Sequence, residues 1–421
     1  MDILIQPSLL SGSIRAISSK SDVHRLLIGA ALAAGETRVR FTTLSEDIAA
    51  TVSVLRALGA SVTVDGEDGD YTASVGGITE AKRGTILDAN ECGTTARLIL
   101  PIAAALTDGF SLTGKNGLLA RPFAELCTCM AENGTATSGT LLPITANGKL
   151  QSGIFKLRGD VSSQYISGLL FALPLLAGDS EIVLTAPAVS AGYIDMTRST
   201  LARFGIAVDK RENGYYVRGG QEYVSPGEVR AEGDWSNATF WLAAGAIGDA
   251  VTVHGLAADS LQKDRAVLTA LKHAGAVVAG EYTVRGAPLV GIDLFGEDIP
   301  DALPALATVF ALAEGDSRIT GGARLRIKES DRIATTVAML RALGANIVGA
   351  EDGFRIRGVP HFTGGTVDAA NDHRIAMCAA IAAQRATGPV IIRGAECVNK
   401  SYPTFFEDYK KLGGNCSVIH G

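Results

Sequence analysis

Nine residues late in the chain combine cations with carboxylates. The segment 324–332 reads Arg-Leu-Arg-Ile-Lys-Glu-Ser-Asp-Arg, so four basic and two acidic side chains crowd together. The apolar spacing of an amphipathic helix follows directly, and the first N–H groups of a helix lack intrahelical partners and attract anions. Because arginine and lysine form strong hydrogen bonds with phosphate and carboxylate groups, the segment predicts an anion-binding site.

Three titratable residues in the same half of the chain are candidates for proton transfer. They are Asp301, Glu329 and His373. The first two also have structural interpretations, since Asp301 could be a helix-start carboxylate and Glu329 could form an ion pair with its basic neighbours. His373 precedes Arg374, which disfavours the charged imidazole, so the histidine could act as a neutral hydrogen-bond donor near pH 7.

The predicted helix after this segment ends in Leu-Gly-Ala, and similar endings recur about every 70 residues. Each glycine follows a helical apolar pattern and is interpreted as a left-handed C-cap. The set comprises Gly59, Gly134, Gly205, Gly275, Gly344 and Gly413. Strands joined by polar turns, such as the one at 65–70, follow these glycines, and a more apolar helix precedes them. The pattern predicts six units of strand, helix, strand, helix, strand, strand.

A repeat of this length exceeds the roughly 20 to 50 residues of ordinary solenoid repeats, so we predict an α/β (α+β) fold of two domains with three units each. The sixth unit ends after one strand, 416–419, whereas a lone strand, 3–5, begins the chain. We therefore expect the N-terminal strand to complete the last unit. This places residues 19–231 in the first domain and residues 1–18 plus 232–421 in the second.

Basic residues recur where the other helices are predicted to begin. Single carboxylates there are most simply N-caps, but a cap does not require a neighbouring cation. If these helix starts converge on one face of each domain, they form an anion-binding cleft, to which each helix dipole contributes only about 0.3 to 1 kcal/mol. Specific contacts must then come from basic side chains, namely Lys20, Arg25, Arg97, Arg121, Lys328, Arg332, Arg374 and Lys400.

The composition argues against several classes of protein. The 421 residues are 47% apolar with a formal charge of −6, so no overall basic field would attract nucleic acid or an anionic membrane. The N-terminus lacks the succession of a signal peptide, and no apolar run reaches about 20 residues. Six scattered cysteines do not form a disulfide framework. We expect a cytoplasmic protein with reduced thiols that binds neither nucleic acid nor membrane.

Signals for cofactors are missing as well. The sequence has no Gly-x-x-x-x-Gly-Lys-Ser/Thr loop and no Gly-x-Gly-x-x-Gly between a strand and a helix. No set of His, Cys and Asp residues has metal-ligand spacing, and Cys127 with Cys129 lacks a second ligand pair. We therefore expect chemistry that uses side chains and bound anions, with no cofactor and no metal.

Seven short motifs occur in a fixed order, from Ser-Lys-Ser-x-x-x-Arg at 19–25 and Gly-Thr-Thr-x-Arg at 93–97 to Lys-Ser-Tyr-Pro at 400–403. Between them lie Arg-Pro at 121, Ser-Ser-Gln at 162, Lys-Glu-Ser-Asp-Arg at 328 and Asp-His-Arg at 372. With this combination the chain, from about Pro7 to Phe406, closely resembles the 5-enolpyruvylshikimate-3-phosphate (EPSP) synthase family. The resemblance implies two domains of βαβαββ units, each an inside-out α/β barrel, in a monomer without a cofactor.

The resemblance also implies a reaction. In this family the enolpyruvyl group of phosphoenolpyruvate passes to the 5-hydroxyl of shikimate 3-phosphate through a tetrahedral intermediate, and phosphate is released, in the shikimate pathway of aromatic amino acid biosynthesis. Asp301 would be the base near the hydroxyl. Glu329 and Lys20 would move the proton at C3 of the donor, with assistance from His373.

The same resemblance assigns binding residues. Those expected to bind shikimate 3-phosphate are Lys20, Ser21, Arg25, Ser162, Ser163, Gln164, Ser190, Tyr193, Asp301, Arg324 and Lys328. Those expected to bind phosphoenolpyruvate are Lys20, Gly93, Arg121, Gln164, Arg332, Arg374 and Lys400. Two positions depart from the family pattern: Glu91 brings a carboxylate near the expected donor pocket, and Arg324 stands where a neutral amide is frequent.

Two alternative functions remain open at this point. UDP-N-acetylglucosamine 1-carboxyvinyltransferase is similar in fold and donor but usually has a reactive Cys in the loop before Arg-Pro, and here that loop, 114–120, contains none. An RNA-terminal-phosphate enzyme or binding module of related repeats belongs to another class. The acidic net charge and the lack of a basic, aromatic-rich surface count against it.

Overall fold

The computed structural model describes residues 1–67 and 69–420, and the chain divides into two compact units. The central unit is Lys20–Ala231, and the terminal unit joins Met1–Ser19 to Glu232–Gly421. Ser19, which the sequence placed in the first domain, lies in the terminal unit, and its N–H donates to the carbonyl of Glu232 at 2.7 Å. Asp68, in the predicted turn at 65–70, and Gly421, the last residue of the predicted second domain, lie outside the described residues.

The α-helices alternate along the chain between the first and the second helix of each repeated unit. The α-helices of the described residues are α1 Lys20–Leu32, α2 Glu46–Ala57, α3 Gly93–Leu106, α4 Ala124–Ala131, α5 Ser163–Ala172, α6 Ala191–Arg203, α7 Trp235–Ile247, α8 Val267–His273, α9 Leu303–Phe310, α10 Arg332–Ala342, α11 His373–Ala383 and α12 Phe405–Lys411. Short 3-10 helices are Asn116–Ala120, Leu173–Leu175, Lys263–Ala266, Pro300–Ala302, Ala323–Ile327 and Ala395–Lys400.

The strands are short. In chain order they are β1 Asp2–Gln6, β2 Gly12–Arg15, β3 Glu36–Phe41, β4 Ser61–Glu67, β5 Asp70–Gly76, β6 Thr85–Asp88, β7 Gly109–Thr113, β8 Ala136–Thr137, β9 Ile144–Asn147, β10 Ile154–Leu157, β11 Ser180–Leu184, β12 Asp209–Arg211, β13 Gly214–Val217, β14 Glu228–Arg230, β15 Val251–His254, β16 Val277–Ala279, β17 Thr283–Arg285, β18 Asp293–Phe295, β19 Asp316–Thr320, β20 Asn346–Ala350, β21 Gly353–Arg357, β22 Gly365–Asp368, β23 Val390–Arg393 and β24 Asn415–His420.

Within the described residues, each unit contains three four-stranded sheets of one design. A parallel pair of strands is extended by an antiparallel hairpin, as in the order β10-β11-β13-β12. The other orders are β14-β3-β5-β4 and β6-β7-β9-β8 in the central unit, and β16-β17-β15-β2, β18-β19-β21-β20 and β22-β23-β1-β24 in the terminal unit. The predicted fold class, with its six repeated units, is confirmed.

Strands from distant parts of the chain complete three of these sheets. Strand β1, which the sequence analysis expected to complete the last unit, lies between β23 and β24. Strand β2 pairs with β15, and β14 returns from the end of the central unit to pair with β3. Strands β2 and β14 are too short to have a distinctive sequence pattern, which is why the sequence did not indicate these last two pairings.

The six repeated glycines all have positive φ angles, as the C-cap prediction requires. Gly59, with a φ of +100°, shows why glycine is needed at the end of α2. A Cβ atom there would lie 2.4 Å from the carbonyl oxygen of Glu80, in addition to the cost of the left-handed backbone. The glycine therefore ends each second helix and turns the chain into the next strand.

The first helix of each repeat lies inside its unit and the sheets lie outside. Every residue of α7 and of α11 is buried, whereas β10 and β9 alternate buried with exposed side chains. Among the described residues, the hydrophobic cores of the two units have no residue in common. None of the helices in residues 1–67 and 69–420 has the length and hydropathy needed to cross a membrane.

Candidate active site

The residues predicted to bind or react are divided between the two units. The central unit holds Lys20, Ser21, Arg25, Gly93, Arg121, Ser162, Ser163, Gln164, Ser190 and Tyr193. The terminal unit holds Asp301, Arg324, Lys328, Glu329, Arg332, His373, Arg374 and Lys400. Nearly all of them lie at or just before the start of a helix. Each unit therefore has its own polar cluster.

Lys20, at the start of α1, forms an ion pair with Asp47 in the first turn of α2. The Lys20 Nζ donates to Asp47 Oδ2 at 2.6 Å, and their side chains are 17% and 12% exposed. The imidazole of His24 and the thiol of Cys92 lie beside this pair, so His24, Asp47 and Cys92 form a group that could hold a metal ion. Sequence reasoning selected Lys20 but missed its carboxylate partner.

Arg25 connects α1 to α6. Its Nε donates to Thr197 Oγ1 at 2.8 Å, and its terminal nitrogens donate to the carbonyls of Ser21 at 2.7 Å and Tyr193 at 3.0 Å. The guanidinium also lies 5.9 Å from the centre of the Tyr193 ring. Burial lowers the pKa of Arg25 to about 10, although the charge of Asp22 opposes the shift. Arg25 thus positions Ser21 and Tyr193 even before any ligand is considered.

Gln164 is held in one orientation at the start of α5. Its Oε1 accepts from an Arg97 terminal nitrogen at 3.0 Å, and its Nε2 donates to Thr94 Oγ1 at 2.8 Å. Arg97 is in turn stacked within 6 Å of two aromatic rings, at 5.7 Å from Phe123 and 5.6 Å from Tyr165. Because both ends of the amide have partners, the α3 and α5 N-termini are fixed relative to each other.

Serine residues line the starts of two helices in the same unit. Ser162 caps α5 by accepting from the N–H of Gln164 at 3.3 Å, and Ser163 beside it is buried. Ser190, directly before α6, is buried and has a left-handed φ of +52°. A non-glycine residue held in this conformation is costly and is often found at binding sites.

Gly93 and Arg121 approach each other closely. A Cβ atom at Gly93 would lie only 2.7 Å from a terminal nitrogen of Arg121. Arg121 follows the 3-10 helix Asn116–Ala120 and is buried. The absence of a side chain at Gly93 therefore allows the guanidinium to approach the N-terminal end of α3, where an anion would also bind.

The terminal unit contains a denser charge cluster centred on Arg332. Its Nε donates to Asp372 Oδ2 at 2.8 Å, one terminal nitrogen donates to Asp301 Oδ1 at 2.7 Å, and the other donates to Glu329. The Arg332 side chain is only 1% exposed. Lys328 adds a contact of 3.1 Å to Asp301 Oδ1. Three carboxylates thus surround one buried guanidinium, and an incoming anion must compete with them.

Asp301 lies at the 3-10 turn before α9. Burial by itself would raise its pKa, but the charges of Lys328, Arg374 and Arg332 outweigh burial and hold the pKa well below its usual range. Arg374 also donates to the backbone carbonyl of Asp301 at 2.9 Å. Asp301 is therefore an ionised carboxylate whose basicity depends on how strongly these cations remain paired with it.

The remaining predicted residues of this unit lie around the same cluster. Arg374 donates to Ser236 Oγ at 2.9 Å, and Lys400 donates to the carbonyl of Asn371 at 2.9 Å. His373 is buried, with its Nδ1 4.0 Å from Asp372 Oδ1. Arg324 is half-buried. The pKa of Lys328 is lowered mainly by burial of Lys328 itself, and the charge of Arg324 lowers it further.

Two buried carboxylates in this unit escaped the sequence analysis as site residues. Asp372 caps α11 by accepting from the N–H of Arg374 at 3.0 Å and also pairs with Arg332. Asp264 is buried beside Asp301, and burial raises its pKa to about 6. Asp372 belongs to the Asp-His-Arg motif at 372, so a sequence signal was available for it, but the motif did not indicate its ion partner.

The arrangement places cations and helix N-termini where phosphate and carboxylate groups could bind, together with carboxylates that could transfer protons. The fold is that of the enolpyruvyl transferases. The solved structure of EPSP synthase from Acinetobacter baumannii is similar with a TM-score of 0.81 and 27% identity, covering 99% of this chain and 100% of that chain. An enolpyruvyl transferase from Streptomyces tendae, at 20% identity and a TM-score of 0.79, shows the same fold.

The chain belongs to the EPSP synthase (3-phosphoshikimate 1-carboxyvinyltransferase) family, whose sequence model matches residues 4–409. It is 38% identical over 419 residues to the 3-phosphoshikimate 1-carboxyvinyltransferase of Clostridium kluyveri, covering 98% of this chain and 97% of the relative. It is 39% identical over 422 residues to that of Methanocorpusculum labreanum, covering 99% of each. The resemblance drawn from the motifs is confirmed, as is the prediction of a transferase enzyme, and neither alternative function is favoured.

Proposed function

We propose that this chain transfers the enolpyruvyl group of phosphoenolpyruvate to the 5-hydroxyl of shikimate 3-phosphate and releases inorganic phosphate. The acceptor oxygen bonds to C2 of the donor while a proton is added to C3. The tetrahedral intermediate then loses phosphate from C2 and a proton from C3, which restores the double bond. Membership of the family supports this reaction, and the cluster of Asp301 with Lys328, Arg332 and Arg374 is the observation that carries it.

In the terminal unit, the proposed roles follow from charge. Arg332, Arg374 and Lys400 bind the donor's anionic groups, while Lys328 and Arg324 bind the acceptor. Asp301 takes the proton of the acceptor hydroxyl. Before substrate binds, a carboxylate with so low a pKa is a weak base. When donor anions bind to Arg332 and Arg374, those charges are partly neutralised, so the pKa of Asp301 rises and the base becomes stronger.

In the central unit, Lys20, Arg121, Gln164 and the backbone of Gly93 bind the donor. The N-terminus of α3 and the buried guanidinium of Arg121 support this assignment, because both favour negative charge. The acceptor's phosphate and hydroxyls bind to a set of short polar residues and their neighbours: Ser21, Arg25, Ser162, Ser163, Ser190 and Tyr193. Their buried or half-buried positions limit competition from water.

Proton transfer at C3 of the donor needs a group that can both give and take a proton. We assign this step to Glu329 and Lys20, with His373 as a hydrogen-bonding assistant. Glu329 accepts a hydrogen bond from Arg332, and Lys20 is held by Asp47 at 2.6 Å until a substrate displaces it. Arginine and lysine charges around the donor stabilise the negative charge that develops during addition.

A direct test measures phosphate released from phosphoenolpyruvate by the full chain. Release should require shikimate 3-phosphate and should be accompanied by an enolpyruvyl ether at the 5-position, detected by mass spectrometry. UDP-N-acetylglucosamine in place of shikimate 3-phosphate should give no release. Release that depends on the UDP-sugar, or that is independent of either acceptor, would reject the proposal.

We further propose that the enzyme acts as a monomer in the cytoplasm. All proposed site residues belong to one chain, and the six cysteines are free and buried, which suits a reducing compartment. Sedimentation velocity at assay concentrations should give the mass of one chain. Cell fractionation should recover the activity with cytoplasmic markers, and a dimer or a membrane-bound pool would contradict the corresponding part.

A further inference from the structure

Three potential metal ligands from three different helices meet in the central unit. His24 on α1, Asp47 in the first turn of α2 and Cys92, the N-cap of α3, place a nitrogen, a carboxylate oxygen and a sulfur within 4.8 Å of one another. His24 Nε2 lies 3.8 Å from Cys92 Sγ. Tetrahedral Zn²⁺, with bonds of about 2.0 Å to nitrogen and 2.3 Å to sulfur, separates such ligand atoms by about 3.5 Å. Small side-chain movements would therefore complete the geometry.

A second layer of hydrogen bonds prepares the histidine. His24 Nδ1 lies 2.7 Å from Thr51 Oγ1, and Thr51 Oγ1 lies 2.6 Å from Thr95 Oγ1. If the Nδ1–H of His24 donates a hydrogen bond to Thr51 Oγ1, and the Thr51 hydroxyl donates to Thr95 Oγ1, then Nε2 carries no proton. The lone pair of Nε2 then faces the thiol. Metal-bound histidines commonly have such a partner on the other ring nitrogen, which fixes the tautomer.

The site has an entrance and a competing cation. His24 and Cys92 are buried, whereas Asp47 and Lys20 are 12% and 17% exposed, so an ion would arrive from the side of the Lys20–Asp47 pair. The Lys20 ammonium group lies 2.6 Å from Asp47 Oδ2, so a cation bound to this carboxylate would compete with Lys20 for it. Binding of a metal at all three ligands would therefore weaken the ion pair between Lys20 and Asp47.

We infer that His24, Asp47 and Cys92 form an inhibitory site for a thiophilic divalent cation of the Zn²⁺ type. The thiol of Cys92 loses its proton to solvent, the thiolate bonds to the metal, and a bound water leaves the ion. Sulfur and imidazole ligands favour Zn²⁺ over Mg²⁺ or Ca²⁺, which prefer oxygen. Binding rests on this geometry alone, whereas inhibition also rests on the role proposed for Lys20 in the reaction.

The binding test uses Co²⁺ as a spectroscopic substitute for Zn²⁺ in the full chain after chelator treatment. One equivalent of Co²⁺ should produce a thiolate-to-cobalt charge-transfer band and tetrahedral visible bands, and Zn²⁺ should abolish both. The variant Cys92→Ser should lose the charge-transfer band, and its serine can still cap α3. The control Cys127→Ser replaces a buried thiol of the same unit on α4 and should keep both signals.

The second ligand and its support provide a further check. His24→Gln should remove the tetrahedral spectrum, and Thr51→Val should weaken Co²⁺ binding by roughly 10- to 100-fold because it removes the partner of the ring nitrogen. Circular dichroism and melting temperature report whether these variants fold. A charge-transfer band that is absent in the unmodified protein, or that persists in folded Cys92→Ser, would overturn the site.

The activity test compares phosphate release with and without metal. Zn²⁺ should inhibit the unmodified enzyme in parallel with Co²⁺ displacement, Mg²⁺ should not, and Cys92→Ser should need a Zn²⁺ concentration at least roughly 10-fold higher. Cobalt binding without loss of activity would overturn inhibition and leave the site standing. A protein that binds Co²⁺ but never transfers the enolpyruvyl group would reject the proposed function and not the metal site.

Discussion

Arg332 and Asp372 form a fully buried ion pair in the terminal unit. Arg332 Nε lies 2.8 Å from Asp372 Oδ2, and the two side chains are 1% and 0% exposed. The same carboxylate caps α11 through the N–H of Arg374 and accepts from Ser330 Oγ at 2.9 Å. Asp372 therefore holds α10 and α11 together while it orients a guanidinium that we assign to donor binding.

The first prediction concerns this pair. Asp372→Asn keeps a good N-cap but leaves Arg332 with one less counter-ion in a buried place, so we expect a loss of stability of about 3 to 5 kcal/mol. Asp331→Asn is the matched control, because Asp331 caps α10 and pairs with Arg326 at a partly exposed position. That change should cost about 1 kcal/mol or less. Urea unfolding measures both, and equal losses would contradict the argument.

The position of the cations was predictable because it depends on local sequence, and so was the local pairing of Arg332 with Glu329, whereas the partners distant in sequence were not. A helix start is recognised from a cap and an apolar period within one segment, which is how Lys20 and Arg332 were found. The distant carboxylates that pair with Lys20 and Arg332 lie 27 and 40 residues away along the chain, at the starts of other helices. Only the packing of neighbouring helices brings Asp47 and Asp372 to them, and a single sequence does not specify that packing.

The same reasoning explains what the sequence showed of the fold. The C-cap glycines gave the period because a positive φ restricts the residue type wherever the turn recurs. Strand β14 has three residues with one buried, and its partner β3 lies at the other end of the central unit. So short a pattern cannot indicate which sheet it joins. The group of His24 with Cys92, 68 residues apart, was invisible to motif spacing for the same reason.

The second prediction tests the contact between Gly93 and Arg121. In Gly93→Ala the new methyl group would lie 2.7 Å from a terminal nitrogen of Arg121, and the flexible guanidinium must move. A charge-assisted hydrogen bond contributes about 1.5 to 3 kcal/mol, so the KM for phosphoenolpyruvate should rise roughly 10-fold or more. The KM for shikimate 3-phosphate should change much less. Steady-state kinetics separates the two constants.

Gly139→Ala controls for the second prediction. Gly139 is exposed in the same unit, and a Cβ atom there would meet no heavy atom within 4 Å. This variant should keep both KM values. If Gly93→Ala left the KM for phosphoenolpyruvate unchanged, Arg121 would not be a donor-binding residue.

The third prediction concerns Asp301 as the base. Asp301→Asn removes the proton acceptor, so kcat should fall by about 10² to 10⁴. It also removes a carboxylate that competes with the donor for Arg332 and Arg374, so the KM for phosphoenolpyruvate should stay constant or fall. The exposed Asp298→Asn, three residues away, should change neither constant. A raised KM with an unchanged kcat would show that Asp301 binds substrate and does not move its proton.

The fourth prediction uses Asp264 to test how burial affects stability across pH. Its pKa is raised to about 6 in the folded protein, first by burial and then by the charge of Asp301. Since the folded state holds the proton more tightly than the unfolded chain, this group reduces stability as pH rises from about 4 to 6. A shift of about two pKa units corresponds to about 3 kcal/mol at most.

Asp264→Asn removes this penalty, because the amide is neutral at every pH and can still accept a hydrogen bond from Ser236. The stability of the variant minus that of the unmodified protein should therefore be larger at pH 7.5 than at pH 4. Thermal unfolding at the two pH values gives the double difference, and the exposed Asp249→Asn provides the reference for a carboxylate in water. A double difference of zero would mean that the protein stabilises the ionised Asp264 carboxylate as well as water does. Arg374, the cation whose charge lowers the pKa of Asp264, would then be its counter-ion.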